Sequence, residues 1–260
     1  MELIDTHTHL YLPPFENRIA TVLETAWAAG ISRCITLGID VPTSRQAIAL
    51  AEQFPMVWAA VGIHPSESAQ AGTAEFQEIA QLAQHPRVVA IGEIGMDFYW
   101  KDVSPEPQYR TFETMLAIAR DHNLPVVIHS RQAVREIEWF LQELGIHHLK
   151  GQMHCFEAEE LDAHFFLELG MHISFAGNVT YKGFKYVRTV KAVPLDRLLL
   201  ETDSPYLTPL PHRGKPNEPA YLPFTAQKVA EIKSVSLEKL AQVTTRNSKE
   251  LFWKDGKRET

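Results

Sequence analysis

Eight short apolar runs recur along the whole chain, and most are separated from the next by a segment with helical periodicity. The runs are residues 3–4, 34–37, 57–61, 88–91, 126–128, 152–153, 173–175 and 198–200. Strands that alternate with helices form a parallel sheet whose faces the helices cover. Eight such units in 260 residues predict an α/β fold of the TIM type, a (β/α)8 barrel. The alternative is an open, doubly wound sheet.

Residues typical of helix ends support these units. The predicted helices are residues 18–29, 44–53, 107–122, 131–144, 159–169, 182–193, 225–233 and 237–251. Gly30, Gly145 and Gly170 follow three of them, and Ser236 is a typical N-cap for the last. We predict a single domain over residues 1–260, with a frayed polar tail at residues 254–260.

Polar side chains follow most of the apolar runs, at the edge of a barrel where active sites are built. The candidates are His7, His9, His64, Glu93, His129, Arg131, His154 and Asp203. His7 and His9 alternate along a strand, so their imidazoles point to the same side. One histidine after a strand is more typical of a structural residue. Six of these residues are of types that bind metals and stand at matching positions, which predicts a metal site: His7, His9, Glu93, His129, His154 and Asp203.

The number of candidates predicts two ions. A catalytic zinc ion takes three protein ligands and a water, so six side chains are too many for one ion. We expect His7, His9, Glu93 and Asp203 to hold the first ion, and Glu93, His129 and His154 to hold the second. Glu93 then bridges the two divalent ions. Four imidazoles favour zinc, manganese, nickel or cobalt, and the carboxylates keep magnesium compatible with the site.

The chain resembles the TatD family of metal-dependent hydrolases, within the amidohydrolase-like superfamily. The matching segments are IDTHTHL, VGIHP, IGEIGMDFYW with PQYRTFE downstream, VVIHSR, HCF, LLLETDSPYLTP and HRGKPNEP, which extend from Ile4 to Pro219. The resemblance implies a TIM-type barrel with a two-metal site and deoxyribonuclease activity. The metal positions of the family match His7, His9, Glu93, His129, His154 and Asp203.

Two ions about 3.5–4 Å apart suit phosphodiester hydrolysis. Glu93 and Asp203 are therefore the candidate catalytic residues. Asp203 is expected to accept the proton of the attacking water as a general base. The alternative is that Asp203 is a metal ligand only.

A phosphate substrate also requires cationic and hydrogen-bond donors. His64 and Arg131 follow strands three and five, and Arg213 and Lys215 lie in a loop after strand eight, where barrels often bind phosphate. The loop is also typical of a solvated turn. In residues 181–191 positive charges fall every third residue, which predicts a basic helix face that either follows a nucleic-acid backbone or faces solvent.

Composition limits partners and location. The net charge of −7 argues against a protein that coats nucleic acid non-specifically, but DNA remains the expected substrate. No apolar run is long enough to cross a membrane, the N-terminus lacks the pattern of a signal peptide, and no obligate protein partner is evident. We expect a cytoplasmic protein in which Cys34 and Cys155 are free thiols. Cys155 is either a packed neighbour of His154 or a soft ligand.

Three functions compete. The first is a two-metal deoxyribonuclease that acts on DNA ends or single strands. The second is a hydrolase of small esters, amides or lactones, for which a closed apolar pocket would be expected. The third is a binding protein on a barrel scaffold. The complete set of metal ligands argues against it, because a binding protein does not require open metal coordination.

Overall fold

The computed structural model describes residues 1–253, and all eight predicted strands are present in it. They are β1 (Leu3–Thr8), β2 (Ile31–Leu37), β3 (Val57–Val61), β4 (Val88–Asp97), β5 (Val126–Arg131), β6 (Gly151–Met153), β7 (His172–Phe175) and β8 (Leu198–Leu200). Strands β3 and β8 have the predicted bounds, whereas β1, β4 and β5 extend further into the polar residues that follow them. The predicted frayed tail lies outside the described residues.

The strands form one parallel sheet in the order of the sequence, from β1 to β8. The chain after β8 then returns to β1. There the amide of Asp203 donates to the carbonyl of His7 at 2.9 Å, and the amide of His9 donates to the carbonyl of Ser204 at 2.8 Å. These bonds join the first and last strands above β8. The prediction of a TIM-type barrel is confirmed, and the open sheet is wrong.

Nine helices surround the barrel in the described part of the chain. They are α1 (Ile19–Ala28), α2 (Val41–Gln53), α3 (Thr73–Leu82), α4 (Pro105–Asp121), α5 (Val134–Glu143), α6 (Glu160–Glu168), α7 (Val187–Ala192), α8 (Leu222–Lys233) and α9 (Leu237–Phe252). Ser236 caps α9 as predicted, because its side chain accepts a hydrogen bond from the amide of Lys239. None of these helices is long and apolar enough to cross a lipid bilayer.

Three helix predictions need correction. Helix α5 begins at Val134 because Arg131 still belongs to β5. Helix α7 begins at Val187, so Lys182 and Lys185 precede it and the basic residues do not share one helix face. Helix α3 is an additional element, and the side chain of Glu75 caps it by accepting from the amide of Gly72 at 2.9 Å.

The barrel interior is apolar below the site and is closed at its lower end by α9. Inward side chains from six strands form one cluster with the end of α9: Ile4, Ile35, Leu37, Trp58, Ala60, Val89, Ala90, Val127, Leu199, Leu251, Phe252 and Trp253. The Trp58 and Trp253 rings meet edge to face, 5.6 Å apart. A second, larger cluster fills the space between the strands and the helices. The packed lower end leaves the upper end as the open one.

Asp5 ties the first strand to the segment after the last one. Burial raises the pKa of its carboxyl group to about 8, and that group accepts from the amide of Thr202 at 2.9 Å and from the hydroxyl of Thr202 at 2.6 Å. His7 lies two residues after Asp5 and Asp203 directly follows Thr202, so the same contact that closes the barrel also places two site residues.

The change Thr202→Val should destabilise the fold. It keeps the shape of the side chain but removes a hydrogen bond to the buried carboxyl group of Asp5, which costs about 1–3 kcal/mol of unfolding free energy. Urea unfolding followed by circular dichroism measures this cost. Thr21→Val on the exposed face of α1 is the control and should change stability by less than about 0.5 kcal/mol. Equal stability of the two variants would remove Asp5 from barrel closure.

Candidate metal centre

Five side chains, from or just after β1, β5, β6 and β8, surround the carboxylate of Glu93 on β4. Oxygen Oε2 of Glu93 lies 3.4 Å from His7 Nε2 and 3.5 Å from His9 Nε2. Asp203 Oδ1 lies 3.7 Å and 3.6 Å from the same two nitrogens. The two imidazole nitrogens are 3.2 Å apart. These four atoms form the first set of donors.

The other oxygen of Glu93 faces a second set. Oε1 lies 2.8 Å from His129 Nδ1 and 3.0 Å from His154 Nε2, and these two nitrogens are 3.1 Å apart. The two oxygens of one carboxylate therefore belong to different groups of imidazoles. This arrangement allows Glu93 to contact two ions at once.

The spacing of the donors fits tetrahedral coordination. Ligand atoms held ~2.0–2.2 Å from a tetrahedral ion lie ~3.3–3.6 Å from one another. The measured distances in the first set, 3.2–3.7 Å, match that spacing. The second set is tighter by roughly a few tenths of an ångström, which small side-chain rotations would cover. Imidazole nitrogen and carboxylate oxygen also suit zinc and similar divalent metals.

Hydrogen bonds to neighbouring groups orient two of the four histidines, His9 and His129. His9 Nδ1 lies 3.1 Å from the carbonyl oxygen of Leu37, so this nitrogen carries the proton and Nε2 is free to bind a metal. His129 Nε2 lies 3.0 Å from Asp97 Oδ2, which leaves Nδ1 free in the same way. His154 Nδ1 lies 3.5 Å from Glu201 Oε1. Both His154 Nδ1 and His7 Nδ1 are buried without a hydrogen-bond partner within residues 1–253.

Glu201 is a buried carboxylate that serves as an anchor. Its oxygens accept from the side chains of Gln152 and Ser174 at 2.7 Å each and from the amide of Cys155 at 2.6 Å. Although it lies close enough to His7 and His154 to form a third group of possible ligands, its oxygens are already engaged. Because Glu201 Oε1 lies 3.5 Å from the unpartnered His154 Nδ1, we propose that Glu201 acts on His154 through its charge and is not a ligand.

Backbone features of β4 and of the segment after β8 bring the ligands together. Strand β4 continues through Glu93 to Asp97, with an irregular register against β5 between Ile91 and Ile94. Gly95 pairs with His129, and its φ of 132° excludes most side chains. A Cβ atom there would lie 2.1 Å from the carbonyl oxygen of His129. Asp203 adopts a left-handed φ of 55°, which is costly for a residue other than glycine and is typical of functional sites.

The neighbouring histidines keep the carboxylates of Glu93 and Asp203 ionised. Burial would raise the pKa of Glu93, but His154 and His7 hold that pKa well below its usual range. Burial would also raise the pKa of Asp203, but the hydrogen bond from His9 and the charges of His7 and His154 together lower it. Both groups are therefore ionised near neutral pH, as metal ligands must be.

The same buried charges also shift the pKa values of the four histidines. Despite burial, the carboxylate neighbours raise the pKa of His9, His129 and His154. Burial dominates at His7, where it lowers the pKa. The excess positive charge that two ions would bring opposes these protonated forms, because metal and proton compete for one lone pair.

A cavity of about 650 Å³ opens above these residues and contains His9, His64, Glu93, His129, His154 and Asp203 in its wall. His64 Nε2 lies 3.7 Å from Glu93 Oε1, and its Nδ1 accepts from the amide of Ser66 at 3.1 Å. Burial lowers the pKa of His64 to about 3. A neutral ring whose Nδ1 is an acceptor carries its proton on Nε2, so His64 presents a donor beside Glu93.

The other three predicted substrate residues differ in position. Arg131 lines the cavity and stacks on the ring of Tyr99, with Cζ 4.0 Å from the ring centroid. Arg213 lines an adjoining cavity of about 460 Å³ and stacks on Tyr181 at the same distance. Lys215 is exposed and lines neither cavity. The structure therefore brings His64 and Arg131 to the metal residues and does not bring Lys215 there.

The sequence reasoning missed the residues that lie beside the histidines. Asp97 and Glu201 lie within the segments IGEIGMDFYW and LLLETDSPYLTP, and both are acidic residues near predicted ligands. Tyr11, two residues after His9, lies with its hydroxyl 3.1 Å from His9 Nδ1. Cys155 lines the cavity and accepts from Asn178 Nδ2 at 3.6 Å.

Comparison with known proteins identifies the family. A family described as TatD related DNase matches residues 4–253. The chain belongs to the TatD family, and it is a metal-dependent hydrolase. A metal-dependent hydrolase named YabD from Bacillus subtilis is 38% identical over 96% of this chain and 98% of that protein. A protein of Escherichia fergusonii named 3'-5' ssDNA/RNA exonuclease TatD is 34% identical over 96% of this chain and 98% of that protein.

Solved structures agree with the family and the fold. The crystal structure of YJJV, a TatD homologue from Escherichia coli, superposes with a TM-score of 0.91 at 29% identity and covers 96% of this chain and 97% of that one. A dihydroorotase from Campylobacter jejuni, 12% identical with a TM-score of 0.58, shares the fold alone. The resemblance inferred from the sequence is confirmed.

The change Glu201→Gln should weaken metal binding. Loss of a carboxylate beside a metal-binding histidine typically costs about ten- to a hundredfold in affinity. Competition between the protein and a chromophoric chelator for zinc measures the change. Glu168→Gln, which removes a carboxylate beside the exposed His164, is the control and should leave zinc affinity unchanged. Unaltered affinity in Glu201→Gln would show that Glu201 does not act on a metal ligand.

Proposed function

We propose that this protein is a two-metal deoxyribonuclease that hydrolyses phosphodiester bonds of single-stranded DNA or DNA ends. The observation that carries the proposal is the division of the Glu93 carboxylate between two groups of imidazoles. His7, His9, Glu93 and Asp203 would hold one divalent ion, and Glu93, His129 and His154 would hold the other. Zinc, manganese, nickel, cobalt and magnesium remain candidates.

The names of the relatives support the substrate. The matching family is described as TatD related DNase, and two bacterial relatives are named 3'-5' ssDNA/RNA exonuclease. In such a site two divalent ions supply a strong nucleophile near neutral pH and neutralise charge on the phosphate oxygens. The remaining requirements are a proton acceptor and donors for the phosphate, and the chain offers both.

Asp203 is the proposed proton acceptor. It is ionised, one of its oxygens faces His7 and His9, and its side chain is 14% exposed toward the cavity. A carboxylate in this position accepts the proton of the attacking water. His64 and Arg131 then bind the non-bridging oxygens of the scissile phosphate, His64 through Nε2–H and Arg131 through its guanidinium.

The change Asp203→Asn should show whether Asp203 acts as a general base or only as a metal ligand. An amide cannot accept the proton, so kcat on a labelled single-stranded oligonucleotide should fall by about 10²–10⁴-fold. His7, His9 and Glu93 should still retain the metal, which elemental analysis of the purified variant measures. Asp196→Asn, at an exposed position, is the control.

Two outcomes would contradict this account. Return of activity to the unaltered level when excess metal is added would make Asp203 a ligand only. Hydrolysis of small esters, amides or lactones without any cleavage of DNA under zinc, manganese, nickel, cobalt and magnesium would instead identify a small-molecule hydrolase.

A further inference from the structure

A second cavity adjoins the metal cavity on the side of β7 and β8. The two cavities share Glu157 and Asn178 in their walls, so they lie side by side. Arg213, Lys182 and the rings of Tyr181 and Phe184 line the second cavity. It combines positive charge with aromatic surface, the two features that bind single-stranded nucleic acid.

The two cations are available to a ligand. Lys182 and Arg213 are exposed, and within residues 1–253 neither forms an ion pair with a carboxylate. The guanidinium of Arg213 lies 4.0 Å above the Tyr181 ring, an arrangement that holds the planar group with its N–H donors pointing outward.

The aromatic platform is fixed in place before any ligand binds. The hydroxyl of Tyr181 donates to the carbonyl of Thr208 at 3.0 Å, which ties the segment after β7 to the loop after β8. The amide of Leu210 donates to the hydroxyl of Thr180 at 2.9 Å in the same loop. A preorganised platform loses little entropy when a ligand binds.

The wall that the two cavities share is negatively charged, unlike the region around Lys182 and Arg213. Asn178 is buried, and its amide donates to the Glu157 carboxylate at 2.7 Å. A carboxylate at this point disfavours a phosphate and favours a hydroxyl or amino donor, such as those of a sugar or a base edge. The order along the surface is therefore a phosphate site at the metals, a sugar or base contact, and a second phosphate site at Lys182 and Arg213.

The cavity above the metal residues has a similar arginine–tyrosine stack after β5, where Arg131 lies over the ring of Tyr99. Two arginine–tyrosine platforms thus flank the metal residues, one after β5 and one after β7 and β8. A small ester would reach only one of them, whereas a strand of several nucleotides can contact both.

We infer that the second cavity is a subsite for an additional phosphate and base of single-stranded DNA, so that binding strengthens once the strand is long enough to reach Arg213 and Lys182. This inference rests on the proposed nuclease function and adds a requirement for strand length to it. The residue that carries the subsite is Arg213.

Binding without cleavage tests the subsite. In the Asp203→Asn background, fluorescence anisotropy measures the Kd of metal-loaded protein for labelled single strands of two to about twelve nucleotides. We expect the longest strand to bind about tenfold or more tightly than the dinucleotide, because one charge-assisted phosphate contact contributes about that factor. Adding Arg213→Ala should remove most of this gain, and Lys182→Ala should act in the same direction.

The salt dependence provides an independent measurement. Loss of one phosphate contact reduces the slope of log affinity against log salt by about 0.7 for a single strand. Arg188→Ala removes an exposed cation on α7 that lines neither cavity and is the matched control, expected to leave both Kd and slope unchanged.

Each result bears on one proposal. Affinity that does not increase with strand length, or equal behaviour of Arg213→Ala and Arg188→Ala in protein with unaltered circular dichroism, would overturn the subsite. Length-dependent binding that Arg213→Ala abolishes supports it. Absence of DNA cleavage by the unaltered protein under all five metals would overturn the nuclease function, and the binding result would still decide the subsite.

Discussion

The carboxylate of Glu93 is buried among imidazoles at the top of the barrel, and the architecture of the site depends on it. A buried charge is costly unless it is paired or coordinates a metal. Each oxygen of Glu93 has its own group of histidines, at 3.4–3.5 Å on one side and 2.8–3.0 Å on the other. The protein therefore compensates one carboxylate from two directions, which is the geometry that a bridging ligand requires.

Barrel closure makes this compensation possible. The residues concerned are far apart in sequence, and only the convergence of the strand ends brings them within one coordination distance. Asp5 holds Thr202 and so fixes the neighbouring His7 and Asp203 relative to each other. Behind the site, α9 closes the lower end of the barrel, so the open cavity lies above the metal residues.

Much of this arrangement could be predicted from the sequence, because apolar runs and the residues that follow them are local signals. All eight strands were predicted, and the six proposed ligands were chosen from their places at strand ends. The roles of Asp97 and Glu201 could not be predicted, since an acidic residue near a histidine has no distinguishing pattern until the tertiary contact is known. The irregular register of β4 depends on contacts between distant segments, such as Gly95 against His129.

The central claim is that Glu93 joins two ions, and X-ray absorption spectroscopy on protein saturated with zinc tests it most directly. The account predicts two zinc ions per chain by elemental analysis and a zinc–zinc distance of about 3.5–4 Å in the spectrum, with both signals lost together in Glu93→Gln. One ion per chain at saturation, without a metal–metal distance, would contradict it.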